Sequence, residues 1–256
     1  MSMSGHVDEF RVRLVRAFAC FACVMGVLFF WGVPLDWLLN VLKAPLFDAL
    51  PAHLRHLYFT GLFEAFFVRL KVAAVATLFL LAPYFFWEFW GFFGPALYPQ
   101  ERKWVMPFVF CTTLFFFAGA SFAYFVLFPL GFRAFLGYAS TGELPLMTMK
   151  EYYDTCLNLI VLFGLAFEVP VLITLLGALG VIDALMLRQY RRFAIIGIAA
   201  ISALIAPPDM LSMALLMVPL IVMYEAAILV VAFLGKKRVE SPSSSPLTGQ
   251  SDYAKR

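Results

Sequence analysis

The sequence predicts an all-α, polytopic membrane protein with six transmembrane helices, the fifth and sixth of them short, and both termini cytoplasmic. Three observations carry this. Of the 256 residues, 63% are hydrophobic and 14% are charged, where an ordinary soluble chain has about 45–50% and about 25%. The apolar residues fall in long runs rather than in alternation, and mean hydropathy is +0.90. Basic residues gather on alternate connections between those runs.

A spanning helix needs about 20 mostly apolar residues. The first run, Ala17–Leu39, is interrupted by Pro34 and Asp36 and leads into "WGVPLDW". It lacks a small-residue cleavage site, so it reads as a retained anchor rather than a signal peptide. Val72–Trp90, Val105–Leu130 and Tyr153–Val181 are each long enough to cross. The fifth run, Phe193–Ala206, reaches only about 21 Å before "APPD" (Ala206, Pro207, Pro208, Asp209) stops it, because consecutive prolines cannot continue a helix. The sixth, Leu211–Leu234, contains Pro219. Two short neighbouring helices thin the bilayer or leave a depression beside them.

Orientation follows from lysine and arginine near the helix ends. Thirteen fall on the side of the termini and of the connections carrying Arg102 and Arg188, and six fall on the other side. The side richer in cations is cytoplasmic. Residues 1–234 then form a single membrane domain, and 235–256 a disordered cytoplasmic tail with no core-forming pattern. Net charge is +3, with the cations scattered, so nucleic acid is not an expected partner.

No catalytic or phosphate-binding signature is present, and neither enzymatic activity nor a cofactor is expected. Cys20 and Cys23 spell C-x-x-C inside an apolar helix without a second ligand pair, which reads as packing. His53 and His56, near Asp48, lack a third well-placed metal ligand. Three acids call for more. Glu9, in "HVDEFRVRL", precedes the first run, and its plainer role is to favour a helix N-terminus. Glu101, in "GPALYPQERKW", has a plainer role as an ion-pair partner of Arg102 or Lys103. Glu168, in "FGLAFEVPVLI", stands mid-run, where a charged side chain costs about 3 kcal/mol even on conservative scales. Pro170 beside it removes the N–H that would bond the Ala166 carbonyl. The pair makes a polar notch at mid-depth, expected to face a concave, partly hydrated groove; its plainer role is a buried structural hydrogen bond.

The chain resembles the TatC family of the twin-arginine protein translocase up to about Leu234. The resemblance is carried by "HVDEFRVRL", "FEAFFVRLKVA", "PYFFWEFWGFFGPALYPQERK", "GASFAYFVLFPLGF", "FGLAFEVPVLI", "APPD" and "LIVMYE", in the family's order. It implies a concave, glove-like bundle in the cell inner membrane. The implied function is that of a receptor for the twin-arginine signal peptides of folded cargo. Implied partners are TatB and TatA, membrane lipid and further copies of the chain within a TatBC complex, with export driven by the proton-motive force. It assigns signal binding to Glu9 and Glu101, with Phe92 and Leu97 shaping an apolar edge. Glu168 becomes the intramembrane docking acid, and Pro45 and Asp209 fall on external motif positions. Two guanidinium groups each present a planar fork that a carboxylate accepts with two hydrogen bonds, so a pair of fixed acids suits them. The chain departs from the family at Ala206 (commonly Thr), Met213 (commonly Gln) and Glu88 (commonly Gln). The first two belong to a polar patch at the helix five–six corner that the family associates with partner docking, and Glu88 adds a third acid near the first cytoplasmic loop. Two rival readings stand beside the receptor. One is a proton-coupled secondary transporter using Glu168, with Arg69 or Lys71 as counter-charge; the other is a passive scaffold.

Overall fold

A computed structural model describes residues 3–51, 54–93, 105–137, 147–178, 181–205 and 210–239. Its described residues are almost entirely helical: α1 (Met3–Trp31), α2 (Val33–Ala49), α3 (Glu64–Phe93), α4 (Val105–Phe122), α5 (Phe128–Gly137), α6 (Met149–Ala178), α7 (Ala184–Gln189), α8 (Arg191–Ile205) and α9 (Met210–Val239). A π-helical turn, Ala123–Leu127, joins α4 to α5. Five segments are long and apolar enough to cross a bilayer: Arg11–Trp31, Glu64–Gly91, Met106–Arg133, Met149–Gly177 and Leu216–Phe233. Helix α8, the expected fifth span, has 15 residues and reaches about 22 Å. Helix α9, expected from the sequence to be short, is not: it has 30 residues, as many as α3 and α6. It runs to Val239, past the expected domain end at Leu234, although its apolar stretch is only the 18 residues Leu216–Phe233.

The first expected span needs correction. Ala17–Leu39 is not one helix, because α1 stops at Trp31 and α2 begins at Val33. Gly32 adopts φ +69°, a conformation that costs a glycine little. Pro34 then sits in the first turn of α2, where its missing N–H has no helical partner to lose. Asp36 in the same turn suits the positive end of the helix dipole.

Helix α2 buries Leu35, Leu39, Leu42 and Leu46, spaced four, three and four apart, which is one stripe of a helix. Three tyrosines from other helices reach its backbone. Tyr124 donates to the Val41 carbonyl at 2.8 Å, Tyr152 to that of Leu42 at 2.5 Å and Tyr153 to that of Leu39 at 2.9 Å. The Val41 bond explains Pro45. A residue at 45 would ordinarily donate its N–H to the carbonyl four residues back, at Val41, and proline has none to give. Tyr124, carried on the π turn, supplies the missing donor. Tyr124→Phe is therefore expected to lower stability by about 1–3 kcal/mol, the range for orphaning a buried polar group. Thermal unfolding in detergent checks this. The loss should shrink in a Pro45→Ala background, where the backbone can donate again.

Helices α4 and α6 make the most extensive contact among the described helices. A Cβ on Gly119 would collide with the Phe163 carbonyl and the Phe167 ring, and one on Gly164 would lie 2.8 Å from the Phe116 ring. Phe122 packs its ring against both Phe163 (5.7 Å) and Phe167 (5.8 Å). Small residues letting backbones approach are how helices associate where lipid removes the hydrophobic drive. Gly177 does the same against Val231 of α9. Two buried threonine hydroxyls within the spans bond back to their own helix, Thr77 to the Ala73 carbonyl and Thr112 to that of Phe108. Arg191, at the start of α8, pairs with Glu225 in the middle of α9 at 2.7 Å, and Tyr224 beside it donates to the Leu187 carbonyl of α7.

Candidate functional site

Helices α1 and α3 run antiparallel, in contact along their length. Phe29 meets Phe66 at one end (5.6 Å), Phe21 meets Phe85 further along (6.4 Å), and an ion cluster closes the other end. In that cluster Arg13 donates to Glu88 at 2.7 Å and Arg16 lies 3.5 Å from the other carboxylate oxygen. Arg13 and Arg16 are three apart and share one face of α1. Tyr84, one turn before Glu88 on α3, donates its hydroxyl at 3.2 Å. The Glu88 side chain is 11% exposed, so the carboxylate gains its partners largely out of water. Gly91 lies against the cluster: a Cβ there would sit 2.9 Å from the Arg13 guanidinium, which would have to shift to make room.

This clamp fixes where the predicted acids can be. Glu9 lies four residues before Arg13 on α1, hence on the same face and one turn nearer the N-terminus. Because the helices are antiparallel, that position is level with the last turn of α3, where Phe92 stands. Glu9 and Phe92 are described through their backbone only, while Leu97 and Glu101 lie outside the described residues, in the connection that leaves this turn. Glu88, the third acid near the first cytoplasmic loop, is tied to Arg13 and Arg16 and joins α1 to α3 at this end. Partly buried ion pairs of this kind contribute about 1 kcal/mol. A double-mutant cycle, Arg13→Ala with Glu88→Ala, is expected to give a coupling of that size in thermal stability, and a coupling near zero would remove the clamp.

Glu168 is 7% exposed, and its Oε1 is buried without a hydrogen-bond partner. No lysine or arginine among the described residues pairs with it. It is more enclosed than the open groove expected from the sequence, because α6 packs against α3, α4 and α9 at once. Helix α6 continues unbroken through Pro170, itself buried. The counter-charges of the transporter reading are occupied elsewhere. Arg69 pairs with Asp36 at 2.6 Å and Lys71 with Asp154 at 2.7 Å. Ala206, Pro207, Pro208 and Asp209 lie outside the described residues, and Met213 packs against the main core.

One buried acid was missed in the sequence. Glu64 opens α3 at 8% exposure. Its Oε2 accepts from the Thr60 N–H (2.7 Å), the Thr60 hydroxyl (3.1 Å) and the Gly61 N–H (3.1 Å), and its Oε1 accepts from the Lys150 N–H (2.6 Å) at the start of α6. The available signal was an acid placed just ahead of an apolar run, four residues after a threonine. Beside it, Tyr58 and residues 147–149 exchange two backbone hydrogen bonds.

Comparison with known proteins decides the family. The family model described as "Sec-independent protein translocase protein (TatC)" matches residues 5–219. The chain belongs to the TatC family. It is 36% identical over 233 residues to the Sec-independent protein translocase protein TatC of Desulforapulum autotrophicum, covering 91% of this chain and 85% of that one. Identity to the TatC of Campylobacter jejuni is 36% over 227 residues, covering 88% and 91%. The crystal structure of a twin arginine translocase receptor, TatC, superposes with a TM-score of 0.79 at 29% identity, over 90% of this chain and 99% of that one. As a TatC-family member with several apolar spans, the chain is a multi-pass membrane protein and a component of a Sec-independent protein translocase. The resemblance read from "HVDEFRVRL" through "LIVMYE" is thereby borne out.

Proposed function

We propose that this TatC-family protein is the core receptor of a twin-arginine translocase in the cell inner membrane, with both termini cytoplasmic. It crosses six times, α8 being the short fifth crossing, and carries a cytoplasmic tail after α9. Glu9 and Glu101 accept the two guanidinium groups of a signal peptide at the cytoplasmic face. Phe92 and Leu97 line the route of its hydrophobic part. The observation that supports this most is the Arg13–Glu88–Arg16 clamp. It brings the helix position of Glu9 level with the turn from which the Glu101 connection departs. Two acids at one corner suit two arginines in a way that two isolated acids do not.

The receptor then assembles with TatB and TatA, and with further copies of itself, for export driven by the proton-motive force. Glu168 serves assembly in this reading. The buried Oε1 finds no partner within its own chain, a hydrogen-bonding need that a polar group from another subunit meets only if assembly opens the packing around it. Glu168→Gln is expected to preserve the fold, since a neutral amide is easier to bury, and to reduce co-purification of the partner subunits. Unchanged co-purification and export would remove Glu168 from assembly. The receptor reading itself is tested by binding of a twin-arginine peptide and its twin-lysine version to the purified protein. Lysine keeps the charge and loses the planar fork, so the twin-lysine peptide should bind at least tenfold more weakly. Equal affinity for both overturns the reading.

A further inference from the structure

The opposite end of the α1–α3 pair carries an apolar segment that the signal site does not use. Between α2 and α3, Phe59 is 69% exposed, Leu62 88% and Phe63 66%. Such a run in water is an aggregation liability unless something covers it. Its polar groups point inward: the N–H groups of Thr60 and Gly61 and the Thr60 hydroxyl all donate to Glu64. Glu64 is in turn fixed by the Lys150 N–H of α6. The tip therefore presents side-chain carbon outward with these donors already satisfied, which lowers the cost of seating it in the interfacial layer of a leaflet, short of the hydrocarbon core that excludes irregular backbone.

Its height is set by neighbours. Phe66, one turn into α3, touches Phe29, two residues before α1 ends at Trp31. The tip thus lies at the level where α1 leaves the apolar layer, the depth at which aromatic side chains collect in membrane proteins. Behind it opens a cleft of about 480 Å³. Its lining combines the carbon of Leu62, Phe63 and Phe67 with Lys150 and the paired Lys71 and Asp154. A cleft lined by both carbon and charges of both signs matches a phospholipid at its headgroup-to-chain boundary.

We propose that the Phe59–Phe63 tip is a lipid anchor, inserted into the leaflet opposite the Arg13 end, with Glu64 holding it rigid and the cleft seating a phospholipid. This stands on the membrane assignment alone, independent of the signal-peptide reading. The test uses the full chain in vesicles of equal parts phosphatidylethanolamine and phosphatidylglycerol. An environment-sensitive fluorescent amino acid replaces Leu62, and quenching by nitroxide-bearing lipid is compared with quenching by aqueous iodide. Lipid quenching several-fold stronger than iodide quenching is the expected result. Stronger iodide quenching places the tip in water and overturns the proposal. Protection from both quenchers means another protein chain covers the tip, and also overturns it. The variant Glu64→Gln, which keeps shape but turns an amide donor toward the same N–H groups, should raise iodide quenching at position 62 several-fold. No change would overturn the role given to Glu64. The parent measurement decides lipid insertion even where that variant fails to fold.

Discussion

Alanine at both Glu9 and Glu101 is expected to reduce affinity for a twin-arginine signal peptide by about a hundredfold or more. Charge-assisted hydrogen bonds contribute about 1.5–3 kcal/mol each, so each acid alone accounts for roughly ten- to a hundredfold. The two losses need not add, because both acids hold one ligand. Glu101→Ala should be the more severe single change, since its connection is anchored by helices at both ends, α3 and α4. Glu101→Asp should fall between, keeping charge on a shorter arm that misses the fork. Titration of a labelled peptide against each purified variant reads these effects. The thermal stability of the variants should stay near that of the parent, which separates lost binding from lost fold.

The largest effect on stability is expected at Gly119. A methyl there meets the Phe163 carbonyl of α6, a backbone atom that cannot rotate away, together with the Phe167 ring. Overpacking a tight core typically costs about 1–3 kcal/mol, more where nothing can give. Gly119→Ala should lower the unfolding temperature clearly, and Gly119→Val should sharply reduce the amount of folded protein in the membrane. Gly197 is the control: a Cβ there meets nothing within 4 Å, so Gly197→Ala should be neutral or slightly stabilising, as alanine favours the helix. Equal losses at both glycines would contradict the α4–α6 packing described.

Much of this architecture is legible in the residues. Long apolar runs exist because a bilayer leaves backbone polar groups no partner except their own helix, so α4, α6 and α9 can be located within a few residues. Helix α3, in contrast, begins at Glu64, well before the expected Val72, because Arg69 and Lys71 interrupt its apolar pattern. The break after Trp31 is harder to read. Only the positive φ of Gly32 ends α1 there, while Pro34 and Asp36, the visible warnings, sit inside the first turn of α2. Side-chain pairings across helices are harder still. Nothing in sequence joins Glu88 to Arg13, 75 residues away, or Tyr124 to Val41, although Pro45 announces that some donor must come. Glu168 was visible as an isolated acid, yet its enclosure depends on three helices converging on α6. Glu64 was overlooked because an acid at a helix start has an ordinary dipole explanation, and its four donors come from a turn and a distant helix.

The central claim is that one corner, where α1 meets the end of α3, receives the arginine pair. The most direct measurement is site-specific photocrosslinking from Gln100, beside Glu101, to a twin-arginine signal peptide. The account predicts a crosslink to residues flanking the arginine pair. It should be displaced by unlabelled twin-arginine peptide, resist the twin-lysine version, and be lost when Glu9 is alanine. A crosslink that persists at full strength without Glu9, or that maps to the far end of the signal, would contradict it.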